Sequence, residues 1–208
     1  MSGTGVFSEH WDRYEAWFEE HRSLYLAELA AIRRLMPSTP VRGLEVGVGS
    51  GRFAGPLGIG IGVEPCGEMA LLARQRGVTV LIGTAEDLPF PGACFDVILM
   101  VTTICFVDDI RRTFEEAFRV LAPQGCVIVG FVDPDSDLGR KYMAERNSSV
   151  FYREATFFSP MEVDGCLKET GFTDPAFVQT LVPEEPEGSV LRGFGRGGFV
   201  AVRGIRAE

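Results

Sequence analysis

The chain has 208 residues, enough to bury one good core and short for two, so a single domain covering residues 1–208 is expected. Lys and Arg number 20 against 29 Asp and Glu, and the resulting formal charge of −9 repels polyphosphate backbones and acidic lipid, which argues against nucleic acid and membrane as partners. Residues 1–7 carry neither a basic region nor an apolar core, and no later apolar run approaches the roughly 20 residues of a membrane span, so a soluble, cytoplasmic protein is expected.

Residues 7–36 read as one or two helices, because Trp11, Tyr14, Trp17 and Phe18, then Leu24, Leu26, Leu29 and Leu35, recur at helical intervals. Pro37 ends the run. The pattern alone suits an amphipathic cover packed on a sheet. Residues 41–46 read as a short buried strand, and the alternating Gly47, Gly49 and Gly51 that follow let backbone approach a ligand with no Cβ in the way. Residues 52–57 can start a short helix, which sets those glycines at a helix N-terminus, where unpaired N–H groups meet polar ligand atoms. A second strand over residues 59–64 ends in Glu64, nineteen positions after Glu45 (64 − 45). In nucleotide-binding βαβ units an acid at about 20 residues' distance hydrogen-bonds the ribose hydroxyls. A dinucleotide site asks for Gly-x-Gly-x-x-Gly, but Arg52 stands where the third glycine would be.

The pattern present is Glu-x-Gly-x-Gly-x-Gly, which resembles the first motif of the class I S-adenosylmethionine-dependent methyltransferases, with Glu64 at that family's ribose ligand. The resemblance implies S-adenosylmethionine as cofactor, held at its methionine end by Glu45 and the backbone of Gly47, Gly49 and Gly51. It further implies Pro65, Met69 and Thr102 as cofactor contacts, and a helical cap over residues 1–37 whose Tyr14 and Trp17 face cofactor and substrate.

Downstream, residues 68–76 form a short helix closed by Gly77, and residues 78–82 are a β-branched run fit for a third buried strand. Strand, helix and strand alternate, which predicts a parallel sheet with ligands beyond the C-terminal ends of its strands. Residues 83–92 follow as a turn-rich loop, which by itself could be a solvated connection. Its Ala-Glu-Asp-Leu-Pro-Phe, followed by Phe95-Asp96-Val97, resembles a second methyltransferase signature, in the group that includes quinone and sterol C-methyltransferases; this implies that Thr84, Ala85 and Glu86 hold adenine. After a fourth strand over residues 95–101, Met100-Val-Thr-Thr103 lacks the Asn/Asp-Pro-Pro-aromatic tetrapeptide of some amino methyltransferases, which argues against nucleic-acid bases and glutamine side chains as targets. The five cysteines are odd in number and lack a Cys-x-x-Cys pair, so no disulfide framework or metal site is expected; Cys105 reads as a buried thiol.

Asp108 or Asp109 can cap a helix to residue 121, and residues 126–132 make a fifth strand. Residues 133–158 read as a lid-like insertion over a small substrate, with Asp133, Tyr142 and Tyr152 as candidate bases for an acceptor that arrives protonated. Ser159 to Glu162 is a capping box and Gly171 ends its helix. Residues 183–198, rich in Pro and Gly, read as a mobile connection between two last strands. The family's usual ending completes the expected fold: an α/β, Rossmann-like, seven-stranded and mostly parallel sheet with an antiparallel last strand and helices on both faces. The expected activity is methyl transfer from S-adenosylmethionine to a small-molecule acceptor by in-line displacement. A nicotinamide-dependent oxidoreductase and a non-catalytic module binding S-adenosylmethionine are the alternatives.

Overall fold

Five short apolar strands form the centre of the fold: β1 (Gly43–Val46), β2 (Ile61–Glu64), β3 (Thr79–Ile82), β4 (Phe95–Val101) and β5 (Leu121–Val132). In this computed structural model, which describes residues 4–38 and 41–207, they pair in parallel in the order β3-β2-β1-β4-β5. Residues 1–3, part of the segments 1–7 and 1–37 read above, lie outside the described residues. The chain steps outward from β1 to β3 and returns to the other side of β1 as β4. Strand order therefore reverses between β1 and β4, and the crevice at their C-terminal ends is where such sheets bind ligands.

Alternation along the strands sends side chains to two cores. Val97, Leu99 and Val101 of β4 face a cluster with Leu29, Ile32 and Leu35, whereas Ile98 and Met100 face one with Phe114, Ala117, Val120, Val163 and Leu167. The first cluster carries α3 (Arg22–Leu35) on one face of the sheet, and the second carries α6 (Ile110–Val120) and α8 (Pro160–Glu169) on the other. The short crossover helices are α4 (Ala54–Leu57) and α5 (Gly67–Gln75). Asp109 caps α6 by accepting from the Arg112 N–H at 3.0 Å, and Ser159 and Glu162 close the expected capping box on α8.

The N-terminal region forms three helices rather than one or two: α1 (Thr4–Glu9), α2 (Trp11–Glu20) and α3, separated at His10 and His21, whose backbone leaves the helical region. The breaks let α3 lie along the sheet while Tyr14, Trp17 and Phe18 of α2 turn toward the crevice. β3, expected to be buried, is the sheet edge, and its Ile82 is 56 % exposed.

Beyond β5 come α7 (Asp137–Ala144), β6 (Phe172–Thr180), β7 (Leu191–Arg192) and β8 (Phe199–Arg206). β8 runs antiparallel to β5, as expected, and β6 lies beside it. The eighth strand is the two-residue β7, in the segment read from sequence as mobile. That segment is tied down by buried polar groups of β6: the Gln179 side-chain oxygen accepts the N–H groups of Arg196 and Gly197 at 2.8 Å each, and the Thr180 hydroxyl donates to the Ser189 carbonyl at 2.8 Å.

Candidate functional site

The crevice is a cavity of about 620 Å³ beyond the C-terminal ends of β1, β2 and β4, roofed by α2 and by residues 142–152. Its size is within the roughly 300–1,000 Å³ common for small-molecule sites.

One wall is the turn after β1. Gly47, Gly49 and Gly51 have φ of +68°, +53° and +82°, a region that disfavours other residues. Packing excludes side chains as well: a Cβ on Gly47 would lie 2.5 Å from Thr103 Cγ2, and one on Gly49 would lie 3.1 Å from the Tyr14 hydroxyl. The Gly47 and Val48 N–H groups bond the Val63 carbonyl at 2.8 and 3.0 Å, which ties the turn to β2. At the end of β2, Glu64 is 7 % exposed; its Oε2 accepts the Gly49 N–H at 2.8 Å and its Oε1 the Cys66 N–H at 3.0 Å. Burial raises the pKa of Glu64, and these N–H groups partly oppose it.

Gly47, Gly49, Glu64, Pro65 and Met69 line the cavity together with Tyr14, Thr84, Ala85, Glu86 and Thr102. Thus ten of the twelve residues named from sequence as cofactor contacts meet here. Glu45 and Gly51 do not line it: Gly51 packs on Ala73, while Glu45, 2 % exposed, accepts the Ala54 N–H and leaves its Oε2 without a partner among the described residues. That bond occupies the start of α4, so Glu45 rather than a ligand meets this helix N-terminus. Burial holds the Glu45 pKa well above the carboxylate range. Arg52, at the position that rules out the dinucleotide motif, pairs with Glu15 and Glu19 at 2.7 and 2.9 Å and so fastens α2 to the glycine turn.

The loop of residues 83–92 is anchored by a pair on α6 that sequence reasoning did not single out. Glu116 accepts the Leu88 N–H at 2.8 Å, and Arg119, bonded to Glu116 at 2.7 Å, donates to the carbonyls of Leu88 and Phe90 at 2.9 and 2.7 Å. The hydrogen bond from Arg119 is the main cause lowering the Glu116 pKa. Glu86 accepts the Asp108 N–H at 2.8 Å, which joins the loop to the segment after β4. In that segment Thr102 has φ of +49°, and the Thr103 hydroxyl donates to the Val46 carbonyl at 3.1 Å. Burial pushes the Cys105 thiol up to about 12, so it stays protonated.

The opposite wall is aromatic. Tyr142 of α7 and Tyr152 stack with centroids 5.1 Å apart, and Tyr152 stacks in turn on Phe106 at 6.0 Å. Tyr14 meets Phe7 and Phe151 edge-on at 5.8 and 6.2 Å. Tyr142 and Tyr152 line the cavity, and burial raises both hydroxyls, Tyr142 to about 12. Asp133, the third base candidate, is outside the lining: its Oδ1 accepts the Asp135 N–H at 3.0 Å in the turn that starts α7. Glu28 of α3, absent from the sequence reading, lines the cavity and is 6 % exposed. The signal was there, since Tyr25, Glu28, Ile32 and Leu35 share one helical stripe and the acid interrupts its apolar run. Among the described residues no group of His, Cys, Asp and Glu is placed to hold a metal ion, and no helix is long and apolar enough to cross a membrane.

Residues 44–129 match the family described as a methyltransferase domain. The chain is 49 % identical to a protein of Thermotoga maritima, described as a SAM-dependent methyltransferase and possible histamine N-methyltransferase; the alignment covers 97 % of this chain and 99 % of that one, with a TM-score of 0.93. It is 42 % identical over 200 residues to an uncharacterized protein of Methanocaldococcus jannaschii, covering 95 % of this chain and 97 % of the relative. An uncharacterized protein of Mycobacterium tuberculosis is 35 % identical over 76 % of this chain, which spans 57 % of that relative's length.

Proposed function

The chain belongs to the S-adenosylmethionine-dependent methyltransferases and uses S-adenosylmethionine as cofactor; from that premise we propose that it methylates a small-molecule acceptor bound at the aromatic wall of the cavity. Membership in this family displaces the oxidoreductase alternative. When bound, the cofactor supplies a methyl group on a sulfonium, an electrophile that needs little further activation.

The residues present fit that cofactor. Gly47 and Gly49 leave the space that a Cβ would fill, and the Glu64 carboxylate borders the same cavity, where it would accept from the ribose hydroxyls. Thr84, Ala85 and Glu86 would border adenine, held in position by Glu116 and Arg119. Pro65 and Met69 would pack against the nucleoside, and Thr102 and Tyr14 would border the methionine end. Glu45 acts from behind, fixing the start of α4 and with it the glycine turn. The chain's contribution to rate is then mostly alignment of two reactants and exclusion of water, and good alignment is worth about 7–11 kcal/mol.

The observation carrying the small-molecule reading is the continuity of the cavity from the loop at Thr84 to the tyrosines under the 142–152 roof. A covered pocket of this size accepts a metabolite rather than a polymer, and the net charge of −9 adds repulsion against nucleic acid. The name of the Thermotoga maritima protein, a possible histamine N-methyltransferase, supports the same class. We place the reaction in the cytoplasm, where the cofactor is made and kept. The test is calorimetric titration with S-adenosylhomocysteine, then incubation with methyl-labelled S-adenosylmethionine and a metabolite extract. Label should enter a low-mass product; label only in macromolecules, or no cofactor binding, overturns the proposal.

A further inference from the structure

Glu28 stands on the buried stripe of α3 and lines the cavity, yet makes no hydrogen bond or ion pair among the described residues. A carboxyl taken out of water without a partner costs several kcal/mol, so native folds rarely keep one that nothing uses. Three tyrosines from three separate elements line the same cavity as Glu28: Tyr14 of α2, Tyr142 of α7 and Tyr152 of the short turn Tyr152–Glu154; burial raises each hydroxyl first, and an ionised Glu28 raises it further. Glu145 also acts on Tyr142, and Glu64, Glu45 and Glu15 also act on Tyr14. Arg13 lines the same cavity but does not pair with Glu28.

We propose that Glu28 is the recognition group for a cationic amine acceptor, its carboxylate pairing with the ammonium while Tyr14, Tyr142 and Tyr152 pack around the cation and the body of the molecule. A buried carboxylate and aromatic faces both favour positive charge, and each interaction strengthens as water leaves. A neutral acceptor would leave Glu28 protonated and gain no ion pair, and an anionic one would be opposed by whatever fraction of Glu28 is ionised. Without a ligand beside it, burial keeps Glu28 largely protonated near neutral pH, so binding an ammonium releases that proton to solvent. The bound ammonium must lose a proton before its nitrogen has a lone pair to offer: the N–H electron pair stays on nitrogen and the proton passes to a Glu28 carboxylate oxygen.

This assignment rests on the small-molecule reading of the cavity, and the experiment separates the two. Calorimetry on the full chain first measures S-adenosylhomocysteine binding to the wild type and to Glu28→Gln. With that ligand saturating, phenethylamine and tryptamine are titrated against phenethyl alcohol and tryptophol, which match them in shape but lack the charge. In the wild type at least one amine should bind about tenfold or more tightly than its alcohol, and near pH 7 its binding should release close to one proton, read from buffers of different ionisation enthalpy. Glu28→Gln should keep its affinity for S-adenosylhomocysteine while losing both the amine preference and the proton release. Equal binding of amine and alcohol, no amine binding, or a preference that survives in Glu28→Gln overturns the assignment of Glu28. Failure of the wild type to bind S-adenosylhomocysteine overturns the cofactor site, and the amine site with it.

Discussion

Replacing Glu28 by Gln should stabilise the folded protein by an amount that grows with pH. Burial moves the Glu28 pKa from 4.5 up to about 8. For a carboxyl whose folded-state pKa lies above its unfolded value, the folded state binds the extra proton, so stability is full below the unfolded pKa and falls as pH rises toward the folded one. Integrating between those two pKa values from pH 5 to pH 8 gives a loss of about 3.5 kcal/mol, an upper figure because water reaching the carboxyl through the cavity relieves part of it. Burial also raises Glu45, Glu64 and Asp133, which titrate in the same sense, so the wild-type curve alone does not isolate Glu28. The readout is the difference between wild type and Glu28→Gln in urea unfolding free energy at each pH. A buried amide adds an offset that does not vary with pH, and the slope is therefore the informative quantity. The variant should gain about 2–3 kcal/mol on the wild type between pH 5 and pH 8. Parallel pH profiles would refute the claim that Glu28 is buried and unpartnered.

Glu64→Gln should weaken S-adenosylhomocysteine binding about tenfold or more in calorimetry, near 1.4 kcal/mol, through loss of a charge-assisted hydrogen bond; unchanged affinity would remove Glu64 from the ribose site. Glu116→Ala touches no part of the cavity lining, yet it strips the Leu88 N–H and Arg119 of their partner and frees the loop of residues 83–92. It should raise the KM for S-adenosylmethionine several-fold and cost about 1–3 kcal/mol of stability. A large fall in kcat with KM unchanged would contradict a role confined to positioning that loop.

Much of this site was legible before folding because its signals are local. The glycines after β1 are needed at positive φ whatever surrounds them, Ser159 and Glu162 make their capping box within four residues, and the spacing from Glu45 to Glu64 measures one strand, one turn, one short helix and the next strand. Strand alternation with helices likewise sets the parallel sheet and the edge where ligands bind. The pattern could not say which way a residue faces once distant elements close around it. Glu45 belongs to the glycine motif but is turned behind the cavity by the start of α4, and Asp133 ends β5 but spends its carboxylate on the turn into α7. β7 exists because Gln179 and Thr180 hold a Pro- and Gly-rich segment through bonds between residues 9 to 18 positions apart, beyond any local periodicity. Glu28 is the sharpest case. On its own helix it is one acid in an apolar stripe, and only the closure of α2, α7 and the turn at Tyr152 around the cavity takes it out of bulk water with no partner among the described residues. Burial of a charge is a property of the whole packing, so tertiary structure alone decided it.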